Sequence, residues 1–157
     1  MSRGVKAAAS ADLLLAEARG LSGDFDGLSQ AVALRVGLSS TDLLAMDLIS
    51  RDGSVTAGQL AEHLHLTTGA ITGVIDRLER SGYARRRTDG SDRRLVRVVP
   101  TAKGDQIGEF FAPLAIALRR AIQGHSKKDL ATLTEFLRVM RAAVAETSEG
   151  IRRPGEA

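Results

Sequence analysis

In the segment TDGSDRRLVRVVPTAKG, residues 88–104, four charged side chains lie within six residues beside Gly90: Asp89, Asp92, Arg93 and Arg94. Within it, Asp92 directly precedes Arg93 and Arg94. At this spacing an aspartate can pair with a neighbouring arginine and hold its planar group in one orientation. One interpretation is therefore an arginine aimed at a target and an aspartate that fixes it. The other is that the charges only keep an exposed turn hydrated.

The positive charge of the chain is concentrated in the segment that contains this turn. The whole chain has a formal net charge of +3. Residues 76–97 hold eight arginines against four acidic residues, a net of +4, which leaves −1 for the remainder. A basic segment in an otherwise nearly neutral chain indicates a polyanionic partner.

The helix expected over residues 67–81 places a buried stripe opposite a face of small and polar residues. On that face, Gly69, Ala70 and Gly73 keep the surface thin, so another molecule can approach the backbone closely. An amphipathic helix with a merely solvated face is the alternative interpretation. The stripe follows the i, i+3, i+4, i+7 spacing of one helix face and consists of Ile71, Val74, Ile75 and Leu78.

The remaining side chains of this face have groups that can recognise DNA. Thr68 and Thr72 can hydrogen-bond with bases or phosphates, and a threonine methyl can contact the methyl group of thymine. Arg77 and Arg80 are suited to phosphates or to guanine, which arginine binds with two hydrogen bonds. The short helix TAGQLAEHL and a brief turn precede this helix. Together they predict a helix-turn-helix, whose second helix enters the DNA major groove.

Two short strands are expected after the second helix. Residues 83–88 and 95–99 flank the turn and predict a β-hairpin. The pair Asp89 and Gly90 fits a two-residue turn, although a longer loop satisfies the sequence equally. Arginines of the strands would border a surface that contacts the DNA backbone, where each phosphate contact adds salt-sensitive affinity. These arginines are Arg85, Arg86, Arg87 and Arg97.

Helices are expected on both sides of this module. Short polar residues followed three positions later by an acid or Gln predict helix starts at Ser39, Thr56 and Ser126. The segments 14–32 and 130–144 show apolar spacings of three and four, typical of helices that pack on helices. Pairing with a twofold-related copy would bury these faces, and an intramolecular three-helix packing is the alternative.

One further helix is expected between the hairpin and the last helix. Thr101 would cap it, because Pro100 ends the preceding strand. Its apolar stripe runs from Ile107 to Ile122, and Gly124 would end it. The fold is therefore expected to be mainly α.

The run from Leu38 to Gly104 resembles the winged helix-turn-helix core of the multiple-antibiotic-resistance regulators, the MarR family. The matching parts are VIDRLERSGYARR at the end of the second helix, DRR in the turn and TAKG after the second strand. The resemblance implies a winged helix-turn-helix with a small β-hairpin wing plus N- and C-terminal dimerisation helices. It implies one domain over residues 1–157, with residues 38–104 as the DNA-binding core and residues 11–37 and 105–149 as dimerisation helices.

The same resemblance implies how the chain would bind DNA. The helix that begins at Thr67 would read the major groove of a pseudo-palindromic operator in double-stranded DNA. A homodimer would place two such helices roughly 34–36 Å apart, about one DNA turn. Arg94 would enter the adjacent minor groove, Asp92 would orient it, and Arg93 would share this contact or face solvent. The predicted DNA-binding residues are Thr67, Thr68, Gly69, Ala70, Thr72, Gly73, Arg77, Arg86, Asp92, Arg93 and Arg94.

The resemblance also implies a mode of regulation. Family members are usually repressors, and a phenolic or otherwise amphipathic small molecule often binds between the DNA-binding lobe and the dimer helices. The chain departs from the family at Pro100, where an apolar residue such as Leu is common. It also departs in the pair Gly69 and Gly73, which leaves the second helix with few side chains that can read bases. Sequence specificity would then depend more on the wing and on DNA shape. We therefore expect a homodimeric, sequence-specific repressor that a ligand releases.

Other function classes have little support in the sequence. The chain has no cysteine, which excludes a thiolate metal site and a cysteine nucleophile. His63 and His65 are two residues apart and do not share a helix face, so no metal site is expected. No catalytic triad, P-loop or dinucleotide motif is present, so neither an enzyme nor a bound cofactor is expected. The remaining alternative is a winged-helix module that binds an acidic protein through its arginines.

The chain is expected to be cytoplasmic and to have no membrane partner. No apolar run approaches the roughly 20 residues that span a bilayer. The apolar stretch near the N-terminus is interrupted by Lys6 and Asp12, so it does not predict a signal peptide.

Overall fold

The computed structural model describes residues 3–88 and 96–152, and the chain divides into two compact units. The first unit ends at Phe111 and the second begins at Ala112. The first contains α1 (Arg3–Val36), α2 (Ser40–Asp52), β1 (Val55–Thr56), α3 (Ala57–Leu64), α4 (Thr68–Arg80), β2 (Ala84–Thr88), β3 (Val96–Pro100), α5 (Ala102–Asp105) and a 3₁₀ helix (Gln106–Phe111). The second contains α6 (Ala112–Ile122) and α7 (Lys127–Arg152).

The core of the first unit is built around α2 and α4. The apolar stripe predicted for α4 is buried, and Ile71 and Leu78 are fully inaccessible to solvent. Ala45 and Ile49 of α2 lie in the same hydrophobic cluster. Burying one large aliphatic side chain contributes roughly 1.5–3 kcal/mol. The stripe therefore determines which face of α4 remains at the surface.

The sheet has three antiparallel strands in the order β1–β3–β2. The predicted hairpin is confirmed in β2 and β3, where Arg86 lies opposite Val98 and Thr88 opposite Val96. The third strand, β1, pairs Val55 with Val98, and the sequence does not predict it. Two residues are too few for an alternating pattern, so only the pairing with β3 makes them a strand.

The predicted helix starts are present. Thr56 and Gln59 form a complete capping box at α3, in which each side chain accepts the other's backbone N–H. Ser126 and Asp129 exchange the same two bonds at the start of α7. Ser39 accepts the N–H of the residue three positions later at α2. Each cap satisfies N–H groups of a first helical turn and typically contributes about 1 kcal/mol.

The sequence predicts one continuous helix between Thr101 and Ile122, and this prediction is wrong. The segment is divided into α5, the 3₁₀ helix and α6, although Thr101 caps α5 as expected. The new start before Pro113 has a physical reason. A proline inside a helix removes a hydrogen bond and clashes with the preceding turn, whereas one in the first turn does neither.

Gly104 occupies a place where no side chain fits. A Cβ at this position would clash with the carbonyl oxygen of Tyr83 and would lie 2.8 Å from the terminal methyl of Met46. The Thr101 hydroxyl donates to the carbonyl of Gly82 at 2.7 Å. The TAKG segment therefore closes against the start of β2, which explains a threonine and a glycine at this spacing.

The helices of the second unit bury no side chain. Neither α6 nor α7 contains a buried residue. In the seam predicted for α7, Leu133, Leu137 and Val144 are 44–63% exposed. In α1, Leu14 and Leu21 of the predicted seam are also about half exposed, at 47% and 51%. Both units thus present apolar side chains to solvent.

In the described ranges, no helix has the length and apolar character needed to cross a membrane.

Candidate nucleic-acid interface

The helix α3, a tight turn and α4 form the predicted helix-turn-helix. His65 ends α3 in the left-handed conformation, with φ of 51°. This conformation is uncommon outside glycine and reverses the chain sharply. Thr67 then starts α4, because its hydroxyl oxygen accepts the N–H of Ala70 at 3.3 Å. The turn and the cap together bring the first turns of α4 to the surface.

The exposed face of α4 contains most of the residues predicted to contact DNA. Thr72 is exposed, and its hydroxyl donates to the carbonyl of Thr68 at 2.9 Å. This bond uses the hydroxyl hydrogen inside the helix but leaves the oxygen able to accept a further bond. The predicted residues that lie together in the start and first two turns of the helix are Thr67, Thr68, Gly69, Ala70, Thr72 and Gly73.

Packing within the described chain does not require glycine at either of the two glycine positions on this face. A Cβ on Gly69 would meet no atom within 4 Å. A Cβ on Gly73 would meet only Nη1 of Arg77, at an ordinary distance of 3.5 Å. Glycine inside a helix costs roughly 0.5–1 kcal/mol relative to alanine. Such a cost without a packing reason is expected where another molecule approaches the backbone.

Arg77, predicted to contact DNA, forms an ion pair that joins α4 to α2. Its Nε and Nη2 donate to the carboxylate of Asp42 at 3.0 and 2.7 Å. Asp42 is 3% exposed, whereas 47% of the Arg77 side chain remains exposed. Contact between Arg77 and DNA stays a prediction, and it would use the exposed part of a side chain that already braces the helix.

The environment of Asp42 favours its charged form. Burial alone would raise the pKa of this carboxyl, but the hydrogen bonds from Arg77 and from Ser39 outweigh burial and hold the pKa below its ordinary value. A buried carboxylate that stays ionised needs such partners. The sequence indicates Asp42 only as part of a helix cap, and its pairing with α4 is not visible from local spacing.

Arg86, also predicted to contact DNA, is held by two carboxylates of α4. Its guanidinium lies 2.7 Å from Asp76 and also pairs with Glu79. Its backbone N–H donates to Glu79 at 2.6 Å. These bonds attach β2 to the last turns of α4. The predicted DNA contact of Arg86 stays a prediction.

Arg85 and Arg87 lie on the other side of β2 from Arg86, because successive strand residues alternate between faces. Both are exposed, and within the part of the chain that the structure describes neither forms an ion pair. The charge of the segment does not distinguish these arginines from Arg86. Strand alternation, together with the buried Ala84, is the signal that separates them.

The turn that carries Asp92, Arg93 and Arg94 lies outside the described residues. The roles implied for these three residues therefore stay predictions. The strands on either side of the turn are described, and they place its two ends beside each other at Thr88 and Val96.

Comparison with known proteins agrees with this geometry. The family model described as MarR family matches residues 38–96. The uncharacterised HTH-type transcriptional regulator YcgE of Bacillus subtilis (strain 168) is 37% identical over 109 residues, which are 69% of this chain and 71% of YcgE.

Solved structures share the fold. A MarR family protein from Bacillus stearothermophilus aligns with a TM-score of 0.63 at 19% identity, covering 92% of this chain and 99% of that protein. FabT of Streptococcus pneumoniae, solved in complex with DNA, aligns with a TM-score of 0.63 at 23% identity, covering 85% and 99%. These likenesses confirm the winged helix-turn-helix fold. With the family match and the identity to YcgE, they establish that the chain belongs to the MarR family of helix-turn-helix transcriptional regulators.

Proposed function

We propose that the chain is a homodimeric, sequence-specific repressor that binds double-stranded DNA in the cytoplasm. The observation that carries this proposal is the exposed face of α4. Its two glycines, Gly69 and Gly73, weaken the helix without serving any internal contact. Close approach of a DNA groove to the helix backbone would explain why these two positions are glycine.

The described contacts support two proposed roles for the arginines. Arg85 and Arg87, which are exposed and lack ion pairs within the described ranges, would contact phosphates. Arg86 would chiefly fix β2 against α4, and Arg77 would brace α4 while its exposed part reaches a phosphate. Such phosphate contacts position the helix and supply affinity, whereas base contacts supply specificity.

The exposed start of α4 supports the proposed contact with the major groove. The major groove would receive the start and first two turns of α4, which contain Thr67, Thr68, Gly69, Ala70, Thr72 and Gly73. The adjacent minor groove would receive Arg94, oriented by Asp92 and accompanied by Arg93. This wing contact rests on the family resemblance.

The exposed apolar residues of both units support the homodimer. Leu14 and Leu21 of α1 and Leu133 and Leu137 of α7 would lose their water contact against a twofold-related copy. Each Å² of apolar surface buried contributes roughly 25 cal/mol. Light scattering at micromolar concentration is expected to give twice the mass of the chain. A monomer would contradict the dimer.

Ligand release would act through α2. A cleft of about 630 Å³ lies in the first unit, and Leu43 and Met46 of α2 line it. The neighbouring residue Asp42 holds Arg77 of α4. A ligand that shifts α2 would therefore shift α4, and fewer dimers would match the spacing of the two half-sites.

Selection from random duplex DNA tests the proposed specificity. The full-length protein is expected to enrich an inverted repeat, with half-site centres separated by about ten base pairs. Enrichment without an inverted repeat would contradict a dimeric, sequence-specific repressor. If the protein retains acidic proteins but no duplex DNA, the alternative function as a protein-binding winged-helix module is favoured.

A further inference from the structure

We propose that the cleft between α1, α2 and the 3₁₀ helix binds a lipophilic organic cation rather than an anionic phenolate. The biological meaning of this site rests on the ligand release proposed above. The chemical class of the ligand is inferred separately, from the residues that line the cleft.

The cleft has the size and the interior of a small-molecule site. Its volume of about 630 Å³ falls within the roughly 300–1,000 Å³ typical of ligand pockets. Leu43, Met46 and Ile107 of its lining are almost fully buried, at 5%, 1% and 7% exposure. The rings of Phe25 and Phe111 also line it. These side chains would take up an apolar, aromatic body.

The polar lining has only negative charge. Asp26 of α1 and Asp47 of α2 both line the cleft, which has no Lys, Arg or His in its lining. Within the described ranges, neither carboxylate has an ion pair or a hydrogen-bond partner. Arg51 of α2, which lies outside the lining, interacts with Asp47 only through its charge. The other polar lining residues are neutral: Ser29, Gln30, Ser40 and Ser50.

This charge distribution determines whether the cleft favours a positively or a negatively charged ligand. Two unpaired carboxylates beside one apolar space attract a cation and repel an anion, and the effect weakens as salt rises. The faces of Phe25 and Phe111 can add cation–π attraction. A phenolate would meet the repulsion without a positively charged side chain in the cleft lining. A metal ion does not fit, because the described residues contain no group of three or more metal-binding side chains.

Two ions of similar size and shape and opposite charge test the inference. Tetraphenylphosphonium and tetraphenylborate are titrated into the full-length protein by calorimetry, without DNA. The phosphonium is expected to bind at least roughly tenfold more tightly than the borate at low salt. Equal affinities, or tighter binding of the borate, would overturn the proposal.

Variants locate the binding. The double change Asp26→Asn and Asp47→Asn is expected to weaken phosphonium binding roughly tenfold. Asp24→Asn, which removes one negative charge from α1 outside the cleft lining, is expected to leave phosphonium binding unchanged. Asp47→Lys should reduce the preference for the phosphonium or invert it. The assignment of the site would be overturned if the double change left phosphonium affinity unaltered, or if Asp24→Asn weakened it as much as the double change does.

A separate DNA-binding titration distinguishes this inference from the proposed release. If the phosphonium binds in a carboxylate-dependent way but does not release the duplex, the release mechanism fails and the ligand class stands. If the borate releases the duplex and the phosphonium does not, the ligand class fails and release stands.

Discussion

The carboxylate of Asp42 lies buried against the guanidinium of Arg77, with Nη2 of the arginine 2.7 Å from the acid. This pair connects the first turn of α2 to α4, the helix proposed to enter the major groove. Residues of α2 also line the cleft. This one short helix therefore contributes both to the proposed ligand site and, through Asp42, to the ion pair that holds α4.

Replacing the buried carboxylate should loosen this connection. Asp42→Asn is expected to lower the free energy of unfolding by about 1–3 kcal/mol, because a charge-assisted bond is lost at a buried position. The measurement is urea unfolding at neutral pH. Asp47→Asn, an exposed residue of the same helix, is the matched control and should leave stability unchanged. Equal stability of the Asp42→Asn variant and the unaltered chain would contradict the brace.

The same pair should make stability depend on acid pH. The pKa of Asp42 is lowered in the folded chain, so its contribution is present above the unfolded value of about 3.9 and is lost as pH falls through the lower folded value. The stability gap between the unaltered chain and Asp42→Asn should therefore be constant near neutral pH and narrow below about pH 4. A gap that does not narrow in acid would mean that the charge of Asp42 contributes nothing.

Gly73→Ala should affect stability and DNA binding in opposite directions. The added methyl has room in the free protein and should raise the free energy of unfolding by about 0.5–1 kcal/mol. It should also weaken operator binding roughly tenfold, the cost of about one specific base contact. Gly23→Ala, an open position in α1, should gain stability without changing DNA binding. Unchanged operator affinity in Gly73→Ala would remove this part of α4 from the interface.

Single alanine variants separate the arginines of β2. Arg85→Ala and Arg87→Ala should each reduce the steepness of log affinity against log salt by about 2, since a dimer loses two phosphate contacts. Arg86→Ala removes the same charge, but it should change the slope less and lower the melting temperature. If Arg86→Ala changes the slope as much as the other two, Arg86 contacts DNA as its sequence context predicts.

The helix-turn-helix and the hairpin could be predicted because their signals are local. The stripe that includes Ile71 and Leu78 specifies the buried face of α4, and the side-chain oxygens of Ser39 and Thr56 mark helix starts. Each of these signals depends on residues only a few positions apart. Short-range spacing therefore contained most of the information about this module.

The pairings between distant residues could not be predicted in the same way. Asp42 and Arg77 are 35 residues apart, and nothing in their spacing indicates contact. Charge counting likewise treats Arg85, Arg86 and Arg87 as equivalent, whereas strand alternation gives Arg86 two acidic partners. Strand β1 exists only through its pairing with β3. Each of these features depends on tertiary packing.

The salt dependence of duplex binding tests the proposed function most directly. If Arg77, Arg85 and Arg87 each contact a phosphate, a dimer makes about six such contacts, and log affinity should fall against log salt with a slope near −5. Fluorescence anisotropy with a selected duplex should then show roughly a 10³-fold loss between 50 and 200 mM salt. Absence of binding at low salt, or affinity that is flat over this range, would contradict DNA binding through these arginines.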